Sequence, residues 1–201
     1  MEEKIRRIFD NEADAIRNIP VSPNFEKAIE IIYRQVHSKN GKLVTSGMGK
    51  AGQIAHNIAT TFSSTGTPAI FLHPSEAQHG DLGILQSNDV ILAISNSGKT
   101  REITELIELK NNLYPEIPVI VITSNADSPL ALKADCYLLT GSPKEVCILG
   151  LTPTTSTTVM TVIGDALVVM LMEKIGFSAL DYAHRHHGGY LGMKSREISG
   201  K

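Results

Sequence analysis

Little in this chain of 201 residues is extreme, and each scarcity removes a class of function. It has two cysteines, Cys136 and Cys147, too few and too awkwardly spaced for a disulfide scaffold or a zinc ribbon. They read as reduced thiols inside a cell. Acids and bases nearly cancel, at −2 with histidine neutral, which removes the global electrostatic case for a nucleic acid or an anionic membrane as partner. Gly and Pro together number 25, near average usage, so collagen-like and low-complexity character are excluded. The opening residues, MEEKIRRIFDNEADAIR, mix acids with bases and hold no apolar leader core, so neither a secretion signal nor a transit peptide is expected. The longest uncharged run, Val146 to Gly164, has 19 residues but includes Pro153 and seven Ser or Thr hydroxyls, which argues against a membrane span. The expectation is a cytoplasmic protein with no membrane partner.

What is present supports one sizeable core. Hydrophobic residues make up 42% and charged residues 20% of the chain, and its length suits a single domain at about 150 residues per domain. Apolar residues at Ile5, Ile8, Phe9, Ala13 and Ile16 predict an amphipathic helix ending near Pro20, and Ser22-Pro23 opens a second one reaching about Ser38. From Lys42 the period changes. Short β-rich runs (43–46, 69–72, 90–95, 119–123, 136–139) alternate with helix-length segments (49–64, 100–112, 128–133, 154–174). Their near-continuous apolar character predicts parallel strands buried on both faces. The pattern is an α/β fold: a doubly wound, five-stranded parallel sheet flanked by helices, flavodoxin-like in shape. The division is helices in 1–40, the α/β core in 41–175, and a C-terminal segment in 176–201 whose polar, glycine-rich stretch 184–192 carries no strong secondary structure of its own.

Ligands of such sheets bind beyond the carboxyl ends of the strands. Small hydroxyl residues follow four of the five strands there, and Ser and Thr donate hydrogen bonds to phosphate and sugar oxygens without bulk. Gly47-Met48-Gly49-Lys50-Ala51-Gly52 matches G-x-G-x-x-G between a strand and a helix. A dinucleotide site would also need an acid at the end of the second strand, where this chain has His73-Pro74. The alternative is that the glycines serve a tight turn. Ser95-Asn96-Ser97-Gly98-Lys99-Thr100 opens a helix and forms a natural phosphate cradle, or else a capped serine-rich turn. It is not a P-loop, because Ala93 stands where that motif needs glycine. Thr152 to Thr158 holds six hydroxyls in seven residues, either a second ligand-facing surface or a capped helix start. Glu102 falls in the first turn of a helix beside the serine loop, where it can face the same ligand. Glu145 follows the fifth strand. His184, His186 and His187 lack nearby Cys or Asp and make a weak metal set; one of them can act as an acid or base near neutral pH.

Taken together and in order, TSGMGKAG (45–52), TFSSTGTPAIFLHPSEAQHGDLG (61–83), VILAISNSGKTREI (90–103), SPKEVCILGLTPTTSTT (142–158), GDAL (164–167) and HHGGYLG (186–192) resemble the sugar isomerase (SIS) domain. The nearest likeness is to the arabinose-5-phosphate isomerases of lipopolysaccharide synthesis, and it runs from about residue 5 to 194. The resemblance implies interconversion of D-ribulose 5-phosphate and D-arabinose 5-phosphate on the Kdo route. It places catalytic roles on Lys50, Glu102, Glu145 and His186, the histidine supplied by a neighbouring subunit of a tetramer. It places substrate contacts on Gly66, Thr67, His73 and His79, and the serine loop on Ser95 and Ser97; Thr100 and Ser142 belong to the same set of strand-end hydroxyls. His73 matches a position that can take zinc, which would inhibit rather than catalyse, and no cofactor is implied. The family's HPGG reads His186-His187-Gly188-Gly189 here, leaving two adjacent histidines for one role. Lys99 stands where the family often has an acid. Many members carry two regulatory CBS modules, which are absent from this sequence, so a single-domain version is expected.

A carbonyl moves between C1 and C2 of a sugar phosphate through a cis-enediol if a carboxylate ferries the proton. Glu145 or Glu102 is the candidate base. His186 assists ring opening or proton exchange at oxygen, and Lys50 stabilises the enediolate. Two other readings keep the fold: an isomerase of a hexulose 6-phosphate or sedoheptulose 7-phosphate, and a non-catalytic sugar-phosphate sensor.

Overall fold

The structure, a computed structural model, describes residues 1–200. Helix α1 (Glu2–Arg17) and helix α2 (Asn24–Ile32), which continues as a π-helical turn over Tyr33–Ser38, precede the sheet. Then come β1 (Leu43–Gly47), α3 (Gly49–Ser64), β2 (Ala69–Phe71), the short α4 (Pro74–Ala77), a 3-10 turn at Asp81–Ile84 and β3 (Val90–Ile94). These are followed by α5 (Arg101–Leu113), β4 (Val119–Thr123), α6 (Pro129–Lys133), β5 (Cys136–Leu139) and α7 (Thr155–Ile175). The strands form one parallel sheet in the order β2-β1-β3-β4-β5, with Leu43 paired to both Ala69 and Val90. Strand positions agree with the apolar runs to within one residue.

Burial explains why these runs are strands. Every residue of β1, β3 and β4 is buried, as parallel strands between two helical layers must be. Edge strands β2 and β5 alternate instead between buried or half-buried and more open positions. Alternate side chains feed two cores. Leu92, Ile94, Ile120 and Ile122 pack with Ile32, Ile58, Phe62, Ile163 and Leu167 of α2, α3 and α7. Ile91, Ala93, Val119 and Val121 pack with Ile103, Leu106, Ile107 and Leu130 of α5 and α6 on the other face. Helix α7 is long and apolar enough to cross a membrane by length and composition, but half of its most apolar stretch is buried inside the protein.

One expectation changes. Residues 184–192 are not irregular: α8 (Ala179–Arg185) and α9 (Gly189–Ser199) occupy the C-terminal segment. The first of these is set by a reciprocal capping box, with Ser178 Oγ accepting from Asp181 N while Asp181 accepts from Ser178 N. The glycines obscured the second, since Gly188 serves as its N-cap and Gly189 opens it with a positive φ of 70°. The apolar stripe of α1 is half covered: Ala13 and Ile16 are half-buried, while Ile5, Ile8 and Phe9 remain exposed.

Candidate active site

Order β2-β1-β3-β4-β5 sends the chain to opposite sides of β1, so a crevice opens where the carboxyl ends of β1 and β3 part. Two glycines shape its β1 wall. A side chain on Gly52 would come within 2.6 Å of Gly47 O, so α3 can lie against the end of its strand only with hydrogen at that position. The G-x-G-x-x-G pattern is thereby explained by the tight turn. The turn puts Met48, Lys50 and Ala51 on one side of the crevice. Ser95 to Thr100 stands opposite, and the loop 143–153 with the first turn of α7 closes the third side. The cavity so formed has a volume of about 680 Å³.

The β3 wall is the serine-rich turn that leads into α5. Ser95 is buried, and its Oγ lies 2.7 Å from Thr100 Oγ1 and accepts from Gly98 N at 3.1 Å. This internal bonding fixes the loop's shape and leaves exposed Ser97 and Asn96 at the cavity. Gly98 has φ +63°, and any side chain there would collide with Ser128. Thr100 is the N-cap of α5 but makes no side-chain bond to its first-turn amides. Those amides carry the positive end of the helix dipole and suit a phosphate.

Charge enters from two directions. Lys50, in the first turn of α3, is exposed and has no carboxylate within 4.0 Å among the described residues. Facing it across the cavity, Glu145 is half-buried. Its Oε2 accepts from Thr154 N at 2.7 Å, Thr154 Oγ1 at 2.9 Å and Ser156 N at 3.3 Å. Burial alone would raise its pKa, but the donors from Ser156 and Thr154 outweigh it and hold the carboxyl below its ordinary range. Glu145 therefore stays ionised at neutral pH.

Of the residues expected at the site, the cavity brings together Lys50, Ser95, Ser97, Thr100 and Glu145. Glu102 is half-buried in the first turn of α5 but does not line it. Most strand-end hydroxyls turn inward instead of toward a ligand. Ser46 donates to Leu72 O, Ser124 to Asn96 O and Ser142 to Ser124 O. His73 caps α4 at the end of β2, next to the cavity's neighbour Ser75, which lies 4.0 Å from the Met48 sulfur. The Nδ1 of His73 is buried without a partner, and His79 is exposed beyond α4. Among the described residues no three metal-ligating side chains converge, at His73 or elsewhere.

Three further residues lie at the opposite end of the sheet. Thr67 is buried with its Oγ1 3.1 Å from His37 Nε2, and Gly66 packs beneath Phe177. His186 stacks on Tyr182 with ring centroids 3.7 Å apart and lies 3.0 Å from Tyr182 O through Nδ1. It follows the far end of α7, whose 21 residues span about 30 Å. Within one chain His186 is thus not beside Lys50.

Sequence reasoning missed Lys144 and Met160 as cavity walls. It also missed Thr154 as the partner of Glu145. The hydroxyl run 152–158 was a signal: Ser156 and Thr157 line the cavity, but no hydroxyl of the run caps α7, since Thr154 makes no side-chain cap bond and Thr157 and Thr158 donate to Thr154 O.

Comparison with known proteins bears on the family of this fold. The SIS domain model matches residues 36–170. Arabinose 5-phosphate isomerase KdsD of Shigella flexneri is 52% identical over 154 residues, 77% of this chain and 46% of that protein. The Yersinia pestis protein of the same name is 48% identical over 174 residues, 87% of this chain and 51% of that one. The chain thus spans about half the length of these curated relatives. Among solved structures, a candidate phosphosugar isomerase of capsule formation from Bacteroides fragilis is 65% identical with a TM-score of 0.93, covering 94% of this chain and 99% of that one. An Escherichia coli protein solved in complex with arabinose 5-phosphate is 37% identical with a TM-score of 0.83, covering 90% and 95%. A doubly wound sheet with a serine cradle at its switch point, matched by the family model over most of its length, assigns the chain: it belongs to the SIS domain family.

Proposed function

We propose that the chain is an aldose–ketose isomerase that interconverts D-ribulose 5-phosphate and D-arabinose 5-phosphate, in the cytoplasm, for Kdo and lipopolysaccharide synthesis. The observation that carries this reading is one cavity in which Lys50 and Glu145 face each other beside an uncapped helix start and a serine loop. The names of the KdsD relatives and the arabinose 5-phosphate complex of the Escherichia coli neighbour support the choice of substrate.

In this mechanism the phosphate lies on the Ser95–Thr100 loop and the amides of α5, which extends the sugar toward Lys50 and Glu145. Glu145, ionised, takes the C1 proton of the ketose. The electron pair moves into a C1–C2 double bond and the C2 carbonyl becomes an enediolate oxygen, which the Lys50 ammonium stabilises. A proton passes from O1 to O2, and Glu145 returns its proton to C2, giving the aldose with no net redox change. Glu145 is preferred to Glu102 because only Glu145 lines the cavity. His186 completes the site from a neighbouring subunit, with Gly66 and Thr67 at that same end of the donor chain. The distance of His186 from its own cavity supports such sharing. The uncovered Ile5, Ile8 and Phe9 of α1, with Val169 and Met170 of α7, support a closed homo-oligomer, proposed as a tetramer.

Incubating the full chain with D-ribulose 5-phosphate in the presence of a chelator, and detecting arabinose 5-phosphate, tests the proposal. Turnover is expected. Turnover only of a hexulose or sedoheptulose phosphate would replace the substrate, and thermal stabilisation by the sugar phosphate without any turnover would make the protein a sensor.

A further inference from the structure

Thr154 stands out among residues not so far assigned any part in chemistry. It is the residue before α7, and its backbone φ of −125° and ψ of −79° lie outside the usual helix and strand regions. Helices starting with Thr commonly use that hydroxyl to accept from their own first-turn amides. Here it does not: the Thr154 side chain makes no bond to the helix start. It donates to Glu145 Oε2 at 2.9 Å, and the backbone amides of Thr154 and Ser156, at 2.7 and 3.3 Å, donate to the same oxygen. The cap of α7 is thus a carboxylate from nine residues upstream. All three bonds fall on Oε2, the Ser156 hydroxyl beside them also favours the charged carboxyl, and Oε1 makes no hydrogen bond among the described residues. One half of the carboxylate is anchored and the other half is left for a ligand.

We propose that Thr154 is a positioning residue for the isomerisation: its hydroxyl, with the first amides of α7, clamps Oε2 of Glu145 so that Oε1 serves as the proton-carrying atom. This deepens the isomerase reading of the cavity and rests on it. The clamp has two consequences. It removes the rotation that would let Glu145 swing between the cavity and its second exposed side, where Lys4, Arg7 and Asp14 of α1 form another opening with Glu145 in its wall. It also favours the charged carboxylate. Other charges facing Glu145 are Lys144 beside it, Lys50 across the cavity and Glu12, which Thr155 Oγ1 holds at 2.9 Å on the α1 side. Those groups are untouched by a change at Thr154.

The test compares Thr154→Val, which keeps the shape and loses the donor, with Thr154→Ser, which keeps the donor. Thr154→Val is expected to lower kcat about tenfold, the loss of one hydrogen bond to a charged group, while KM changes less than about twofold. The acid limb of its kcat profile moves to higher pH, because a carboxylate deprived of a donor protonates more readily. Thr154→Ser restores both. In a Glu145→Gln background the valine change has no further effect on residual kcat. Thr154→Ala is the second donor-free variant if valine does not fold. A donor-free variant that loses melting temperature and kcat with its acid limb unmoved, or that loses kcat equally with Glu145→Gln present, overturns the proposal. Carbon-13 NMR titration of Glu145 separates this from failure of the isomerase reading. If the wild type turns over no sugar phosphate, an upward shift in Thr154→Val still upholds the clamp, and an unchanged titration overturns it.

Discussion

The two ends of the sheet treat their polar groups in opposite ways. At the amino ends of the strands the buried charged groups find partners in their own chain, although Gln35 Oε1 is buried without one. Asp89, fully buried, accepts from Lys42 N at 2.9 Å, Lys42 Nζ at 2.7 Å and Gln86 N at 2.8 Å, and its own carbonyl accepts from Gln35 Nε2. Lys110 donates to the carbonyls of Pro115 and Ile117, with burial pushing its pKa down, and Asp135 accepts from Val119 N. At the carboxyl ends, Lys50 and Glu102 have no ion-pair partner among the described residues, the α5 amides are uncapped by side chains, and Glu145 keeps one oxygen open. A closed network stabilises the fold. An open one waits for a ligand, at some cost in stability.

The contrast predicts that activity and stability can be broken separately. The largest effect belongs to the open end. Lys50→Ala is expected to lower kcat by about 10²–10³-fold, the usual loss on removing one charge-stabilising donor, with an unchanged melting temperature. Steady-state kinetics beside calorimetry would check both halves. The closed end gives the converse result. Asp89→Ala strands two backbone amides and a cation, and is expected to cost about 3 kcal/mol of stability by urea unfolding, while kcat of the folded fraction holds. Should Asp89→Ala abolish activity without loss of stability, the division of labour between the two ends is wrong.

A smaller effect sharpens the comparison with the two thiols. Cys147 lies in the site loop, where amide donors from Thr152 and Leu151 lower its pKa to about 7. Cys136 begins β5 at the closed end, and burial pushes it up to about 11. A group with a lowered pKa gains its thiolate as pH rises through that value. Iodoacetamide is therefore expected to label Cys147 at a rate that climbs through about pH 7 and then levels. Cys136 stays unlabelled in the native protein until unfolding exposes it. Mass spectrometry of tryptic peptides reads both sites.

Much of this was legible from residue patterns. The five apolar runs and their intervening helices have the observed positions because burial on both faces demands continuous hydrophobicity, which a linear pattern records. The serine loop was legible for a local reason too, since a strand, a helix start and small hydroxyls lie within six residues. The strand-end hydroxyls misled, because a pattern locates Ser46 or Ser142 at the right edge without saying that Leu72 O or Ser124 O will accept its hydrogen bond. Residues 184–192 misled in the other direction. Glycines suggested an irregular segment, whereas Gly188 and Gly189 serve a helix start and Ser178 with Asp181 caps the helix before it.

Local sequence, then, determined the α/β architecture, its strand positions, the phosphate-like loop and a set of acids and bases that resembles the SIS family, since each depends on residues close in the chain. Only the tertiary structure decided which of those acids and bases meet. Strand order put Lys50 and Ser95 on facing turns at the split between β1 and β3. The packing of α7 brought Thr154 to Glu145 and carried His186 to the opposite end of the sheet. Contacts of that kind depend on how helices stack across the sheet, and no local pattern records them.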